Sequence, residues 1–434
     1  RDGSSVFGED QRWATFPSVA IGWTFSDESF LKSVNWLSYG KIRASWGQSG
    51  VQFDKAYLAH GLMEIGAIYD GERGMRASGI LNRKLGWEQS DQYDLGLDLD
   101  FLDYRIKFKF DYYYRYTKDK LWKVNLPSGG SFLGGFSKQW RNAMEVSNEG
   151  IEFEVTCDIL RETKVTWRSK ITASRNWNRF EKSADGFDFM EQVIGKPLHQ
   201  IKVFKTDGFY NSLDEVPVYY LANKEVQPLY SGITAGIYLP GSRRLVDLNG
   251  DGRITEDADV YFAESPLPLA HGGFINQLRW KNFDLNIFFN YSLGRHIVKV
   301  YDDVSMTANG SAKPLFVDVN DVKIWTEAGS KADYPKSQVY AYLMNQTSGR
   351  YDCDIESVSF LRLKQLTLGY NVGERVLNKL KISGARIFVT GENLFLLTNY
   401  SGLDPELVNP TQGVDNMGSY PLPRKFTVGL SVNF

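Results

Sequence analysis

The sequence predicts an all-β fold, a large antiparallel transmembrane β-barrel with long extracellular loops and short periplasmic turns. Three observations predict it: segments that alternate apolar with polar residues, segment lengths of ten residues or more, and connections that switch between very short and very long. Strands of soluble proteins run about 5–6 residues, whereas a tilted membrane-crossing strand needs about 9–11. Aromatics make up 14% of the chain while mean hydropathy stays negative at -0.34, a mixture suited to half-buried strands.

Taken in order, alternation places strands near 13–25, 36–48, 87–101, 104–118, 148–160, 164–178, 268–280, 282–294, 357–370, 385–397 and 424–434. In "YRIKFKFDYYYRY" (104–116), Tyr104, Ile106, Phe108, Phe110, Tyr112, Tyr114 and Tyr116 share one face, and Arg105, Lys107, Lys109 and Asp111 share the other. "VTWRSKITAS" sets Val165, Trp167, Ile171 and Ala173 against Thr166, Arg168, Lys170 and Thr172. "NFDLNIFFNYSL" sets Phe283, Leu285, Ile287 and Phe289 against Asp284, Asn286 and Asn290. The last strand, "RKFTVGLSVNF", alternates Phe426, Val428, Leu430 and Val432 to a terminal Phe434. Phe108, Phe110 and Ile287 are therefore expected to face lipid, and Lys107, Lys109 and Asn286 the lumen.

Leu102-Asp103, residues 161–163 and Lys281 read as tight turns, while 49–86, 119–147, 179–267, 295–356 and 398–423 read as long excursions. A soluble domain rarely carries so many long loops, and strands in lipid must close into a barrel because no backbone group there is left unpaired. No apolar run approaches the 18 residues of a membrane helix. Net charge is -2, so no global field recruits nucleic acid. Cys157 and Cys353 are too few for a disulfide scaffold or a structural zinc site. The chain opens on Arg1-Asp2-Gly3 without Met or a signal peptide, so the native N-terminus is expected upstream.

The sharpest local motif is "DLNGDGRITEDAD" (247–259), a spacing that suits calcium. Asp247, Asn249 and Asp251 supply side-chain oxygens, Gly252 the sharp turn, Arg253 its carbonyl, and Thr255 a direct or water-mediated contact. The twelfth position is Ala258, so Asp257 or Asp259 has to close the site. Without metal the same residues make an Asx-rich turn. His60, His199, His271 and His296 have no metal-ligand spacing, no Ser/His/Asp set assembles, and "GGSFLGG" (129–135) lacks the Lys of a phosphate loop. Glu152 and Glu154 share a strand face, which a solvated wall explains without acid–base chemistry. No catalytic residue is expected. Trp122, Phe132, Phe136 and Trp140 lie among Gly, Ser and Asn; Trp122, Phe136 and Trp140 are the candidates for substrate contact, the alternative being loop packing.

The chain resembles the C-terminal part of the barrel of SusC/RagA-type TonB-dependent outer-membrane transporters of Bacteroidota. The likeness runs through "WLSYGKIRASWGQSG", "WEQSDQYDLGLDLDFLDYRIKFKFDYYYRYTKDKLW", "SNEGIEFEV", "DLNGDGRIT", "FLRLKQLTLGYNV", "ARIFVTGENLFLLTNYSGLDPE" and "YPLPRKFTVGLSVNF". The resemblance implies a 22-stranded barrel filled by an N-terminal plug and capped by a SusD-like lipoprotein, importing oligosaccharides or oligopeptides with energy from TonB. It makes residues 1–434 the C-terminal portion of that barrel, with the plug and the TonB-contacting segment outside this chain. Loops 179–267 and 295–356 would dock the lipoprotein, and 102–103 and 161–163 would lie in the periplasm. The rival reading is a secreted calcium-binding β-sandwich that binds glycans; a glycan-cleaving enzyme has no assembled carboxylate pair behind it.

Overall fold

The computed structural model describes residues 1–434 except 54–58, 60, 62, 78, 127–137, 187, 189–191, 221–225, 232–235, 300–322, 334–350, 410, 412 and 416–418. Eleven strands form one sheet: β1 (Ser18–Trp23), β2 (Leu37–Val51), β3 (Glu88–Phe101), β4 (Ile106–Asn125), β5 (Lys138–Leu160), β6 (Val165–Ser183), β7 (Ala270–Trp280), β8 (Phe283–Leu293), β9 (Phe360–Asn371), β10 (Gly384–Thr398) and β11 (Lys425–Asn433). Each pairs antiparallel with its sequence neighbours, an up-and-down meander with β1 and β11 at its edges. One continuous sheet replaces the two stacked sheets that the sandwich alternative requires.

Register carries the alternation across the whole sheet. Leu97, Phe110, Phe153 and Ala173 fall in one row, and Leu99, Phe108 and Val155 in the next, on the side where Ile21, Val428 and Leu430 are also exposed. Lys107, Lys109 and Asn286 occupy the opposite face, opposite Asp100, Asp98 and Gln277. Aromatic groups bracket the apolar band. At the short-turn end Trp36 stacks on Phe101 and Phe283 touches both Trp280 and Tyr370, while at the loop end Tyr93 meets Tyr114. Phe101 and Tyr93 are separated by about 26 Å of strand, against an apolar band of about 25 Å in outer-membrane barrels. Asn276, level with Ser169, is a polar residue on the apolar face. It is buried, and Trp167 shields it by donating its Nε1–H to Oδ1 at 3.0 Å.

The turns are short and tightly held. Leu102, Asp103 and Tyr104 all take positive φ, from 53 to 61°, and Ser38 Oγ accepts the Asp103 and Tyr104 amides while Arg161 donates to the Asp103 carbonyl at 2.6 Å. Glu162 and Lys281 turn the next two hairpins with positive φ as well. Between β9 and β10 a short helix, Glu374–Leu380, ends on Lys381 in the left-handed region.

Three connections differ from expectation. β4 and β5 extend to Asn125 and back from Lys138, so the expected excursion 119–147 shrinks to 126–137. Beyond Tyr116 the ladder continues through register shifts between Thr117 and Lys120 and between Lys120 and Leu121, which break the period-two signal. The 49–86 segment contains a separate hairpin, Met63–Tyr69 with Glu72–Ala77. The 179–267 segment builds a small lobe in which Lys202–Phe204 pairs with Val260–Phe262 and Thr206–Phe209 with Arg243–Leu245. Its core is Phe204, Tyr210, Val216, Leu229, Tyr238, Leu245 and Ile254.

Candidate functional site

The lumen face of β2–β6 carries a polar cleft of about 720 Å³, and two of the side chains that line it, Arg43 and Tyr113, lie over glycines. Gly96 lies in the same row as Arg43 and Asp111, and a Cβ there would fall 2.5 Å from the Arg43 guanidinium carbon and 2.6 Å from Asp111 Oδ1. The missing side chain lets Arg43 lie across β3. It donates to Asp98 through Nε at 2.7 Å and reaches Asp111 on the far strand through Nη2 at 2.9 Å. Gly150 repeats the device, with Tyr113 and Asn176 as its neighbours on either side. Tyr113 crosses it to donate its hydroxyl to Asn176 Oδ1 at 2.8 Å.

Further toward the loops, Asp94 accepts from Ser45 Oγ at 3.0 Å and from Gln92 Nε2 at 2.9 Å, and Arg115 donates to Gln92 Oε1 at 2.6 Å. Asn148 and Glu152 complete the wall. Alternation alone places this face in the lumen and marks none of these groups for binding. The signal was present in two glycines placed mid-strand, which mark a close approach rather than a turn.

After β10, the 400–409 segment is folded back onto the strands by two buried arginines. Arg295 donates to the carbonyls of Pro266 at 2.9 Å and Val408 at 2.6 Å. Arg362 on β9 pairs with Asp404 at 2.5 Å, both side chains being 4% exposed, and Glu406 lies 2.9 Å from its Nε, close enough for charge but not aligned for a hydrogen bond.

The 247–259 turn is organised around Asp247, whose carboxylate accepts the Gly250 and Gly252 amides at 2.7 and 2.8 Å. Burial pushes its carboxyl pKa up, but the Gly252 amide, the Tyr219 hydroxyl and the Gly250 amide outweigh that and hold it below the usual range. Gly252 has φ of 81° and passes against the Tyr219 ring, and burial together with Asp247 pushes that phenol up to about 12. Asn249 Oδ1 accepts the Asp251 amide, and Asp251 accepts the Arg253 amide. Asp247, Asn249 and Asp251 are thus gathered in one turn, with Thr255 after it accepting the Ala258 amide. Asp259 is elsewhere engaged: fully buried, it accepts the Leu248 and Thr255 amides at 2.9 and 2.7 Å and so ties the two ends of the loop together. Asp257 is exposed. Among the described residues no three His, Cys, Asp or Glu side chains converge as a metal centre, so a cation here would depend on the Asn and on backbone oxygens.

Of the loop aromatics, Trp140 packs edge-on against Phe53 at 4.8 Å, beside a cluster of Phe7, Leu85 and Leu121. Trp122 is 38% exposed on the same hairpin. Phe132, Phe136 and the glycine-rich 129–135 run lie outside the described residues. Ser174 and His271 are 3.0 Å apart, and no carboxylate hydrogen bond or ion pair orients that imidazole among the described residues.

Residues 1–310 match the family model described as TonB dependent receptor-like, beta-barrel. The chain is 33% identical over its whole length to "TonB-dependent receptor P3" of Formosa agariphila and 31% identical to "TonB-dependent receptor SusC" of Bacteroides thetaiotaomicron, covering 43% and 41% of those proteins. In fold it is similar to a chain of the structure titled "Structure of the RagAB peptide transporter", with a TM-score of 0.77 at 24% identity, covering all of this chain and 45% of that one. It therefore spans less than half the length of these relatives.

Proposed function

Since the chain belongs to the TonB-dependent receptor-like β-barrel family and is SusC/RagA-type in its relatives, we propose that it forms the C-terminal portion of an outer-membrane barrel that imports oligosaccharides or oligopeptides. Outer-membrane location is the family's, and the strand faces agree with it: apolar outside, hydrogen-bonding inside. The reading rests above all on the lumen wall. Charges such as Arg43 and Asp111 are matched within the wall, and the cleft keeps amide and hydroxyl groups for a hydrophilic solute.

Transport of this kind breaks no bond. In this reading the plug lies in another part of the same protein, TonB opens it with energy from the inner membrane, and a SusD-like lipoprotein sits over the long loops. The lobe in 179–267 and the loops around it offer that partner a platform; most of 295–356 lies outside the described residues. Calcium bound by Asp247, Asn249, Asp251, the Arg253 carbonyl, Thr255 and Asp257 would stiffen the lobe and take no part in transport. Trp122 is the loop aromatic best placed to meet solute, and Trp140 is committed to packing.

Uptake measured in the source bacterium tests the proposal. Deleting the complete gene should abolish growth on one class of oligomer and leave growth on its monomers unchanged. Uptake that persists after the proton gradient is collapsed would rule out energised import.

A further inference from the structure

On the lipid-facing side, the row next to Phe110, Phe153 and Ala173 in the direction of the long loops ends on an arginine. Arg175 of β6 lies level with Leu95, Tyr112 and Ile151, and the following row, that of the Tyr93–Tyr114 girdle, continues through Glu149 to Trp177. The Arg175 guanidinium lies over the Trp177 ring, 4.5 Å from its centroid. Glu149, directly opposite Trp177, accepts the Tyr112 hydroxyl at 3.3 Å. Arg175 and Glu149 therefore stand on adjacent strands in adjacent rows, both half-buried, and among the described residues neither forms an ion pair with the other or with any other charge.

Farther toward the loops the same side is of mixed sign. Lys118 pairs with Asp91 and Lys182 with Glu145, each at 3.1 Å, while Glu181 accepts the Ser147 hydroxyl at 2.5 Å. Arg179, level with Tyr116 and Ser147, is exposed. Water reaches that tier, and screening weakens the demand for a partner. Arg175 shares its row with Leu95, Tyr112 and Ile151 at the edge of the hydrocarbon, where a charge on the lipid side is tolerated when it reaches the headgroup layer. Stacking on Trp177 fixes the guanidinium plane and turns its N–H edges to an oxyanion, the geometry that takes a phosphate through two parallel hydrogen bonds. One row out, about 7 Å along the strand, the Glu149 carboxylate calls for a cationic donor. Cation toward the hydrocarbon and anion toward the loops is the complement of phosphoethanolamine, whose phosphate joins the lipid and whose ammonium sits two carbons farther out. An anionic headgroup without an amine answers Arg175 and is repelled by Glu149.

We propose that Arg175, Trp177 and Glu149 bind the phosphoethanolamine headgroup of a lipid in the leaflet beside the long loops, its phosphate at the Arg175 guanidinium and its ammonium at the Glu149 carboxylate. Tyr112 is a positioning residue that holds Glu149 toward the Arg175 row. The inference rests on the lipid-facing assignment of this side and is independent of what the barrel imports.

The test uses the full-length receptor in non-ionic detergent micelles doped with dioleoylphosphatidylethanolamine, dioleoylphosphatidylglycerol or dioleoylphosphatidylcholine, with native mass spectrometry counting the lipid retained. Phosphatidylethanolamine should be held about tenfold more tightly than either comparison, one lacking the ammonium and the other its N–H donors. Glu149→Gln should abolish the preference over phosphatidylglycerol, and Arg175→Gln should weaken retention of both. Free phosphoethanolamine should not displace the lipid; displacement would assign the site to a soluble solute and overturn the lipid assignment. Equal retention of the three lipids by the native receptor overturns the proposal before any variant is made, as does a preference that survives in Glu149→Gln. Heat-modifiable gel migration of the same preparation reads the barrel separately. A receptor that shifts on heating yet prefers no headgroup keeps its lipid-facing side and loses only this site.

Discussion

The Tyr113 hydroxyl donates to Asn176 Oδ1 at 2.8 Å across the bare backbone of Gly150, so that β4 is tied to β6 over the top of β5. A Cβ at Gly150 would lie 2.5 Å from that hydroxyl. Gly150→Val should therefore cost about 1–3 kcal/mol through overpacking, and Tyr113→Phe about 1 kcal/mol through the lost hydrogen bond. The midpoint of the heat-modifiable gel shift reads both. If Gly150→Val leaves the midpoint unchanged, the ring does not rest on the glycine.

Phe110 lies midway between the two aromatic girdles, in a row with Leu97 and Phe153. Phe110→Arg places a charge in lipid and should cost roughly 2–4 kcal/mol, with Phe108→Arg close behind, whereas Lys107→Gln on the lumen face should be mild. Equal losses on both faces, measured by urea denaturation in lipid bilayers, would contradict the assignment of sides.

Arg362 and Asp404 form a pair from which water is excluded. Arg362→Met strands a buried carboxylate and should destabilise by about 3–5 kcal/mol, most of which the double variant Arg362→Met/Asp404→Leu should recover. Limited proteolysis within 400–409 gives an independent reading, since release of the segment exposes its backbone. A double variant no better than the single one would mean that shape rather than charge holds the segment.

Because Asp247 is held below the ordinary carboxylate range, its contribution to folding is complete above the unfolded pKa and is lost as pH falls through the lowered folded value. Hydrogen-exchange protection of the Gly250 and Gly252 amides should persist at neutral pH and decline only below about pH 4. Asp247→Asn should lower it throughout. Calcium should raise protection of the same amides in the native chain but not in Asp251→Asn. Crystals soaked in calcium that give no anomalous signal at this turn would leave it a turn alone.

The side of the membrane on which each connection lies can be read by labelling intact cells at single cysteines, with Cys157 and Cys353 first replaced by Ser. Asp103, at the tip of the β3–β4 turn with its side chain 86% exposed, should resist an impermeant reagent. Asp188, whose carboxylate accepts the Ile194 amide in the long connection after β6, should react. The reverse pattern would invert the topology and take the lipoprotein platform with it.

The strands were legible wherever lipid imposes a demand on one face. Between Phe101 and Tyr93, and again from Ile106 to Tyr114, that demand fixes every second residue as apolar, and the eleven expected segments are the eleven strands of the sheet. Past Tyr116 register shifts beside Lys120 interrupt the alternation and the apolar residues, Leu121 and Val124, are buried within the protein, so the ladder to Asn125 leaves no periodic trace. The lobe after β6 escaped notice for another reason: its strands are two to four residues long, too short for any period, and the two pairs that close it join residues from 34 (Phe209 and Arg243) to 60 (Lys202 and Phe262) positions apart. In the Asp247 turn the local chemistry was readable, because Asx side chains bond amides two or three residues on, whereas the burial of Asp259 depends on packing that the motif does not encode. The cleft was hidden most thoroughly. Arg43 and Tyr113 take up their places in its lining by crossing Gly96 and Gly150, and the lining becomes a neighbourhood only through cross-strand register.

The β4–β5 hairpin runs on past Tyr114 for about ten residues, roughly 35 Å of ladder measured along the strand. A stretch of that kind is a parapet rather than a tether. Force applied high on this hairpin is carried down it by interstrand hydrogen bonds into the membrane-embedded wall, with the register shifts beside Lys120 as the places where the ladder can give. What passes them arrives at Tyr113 and Gly150 as shear between neighbouring strands.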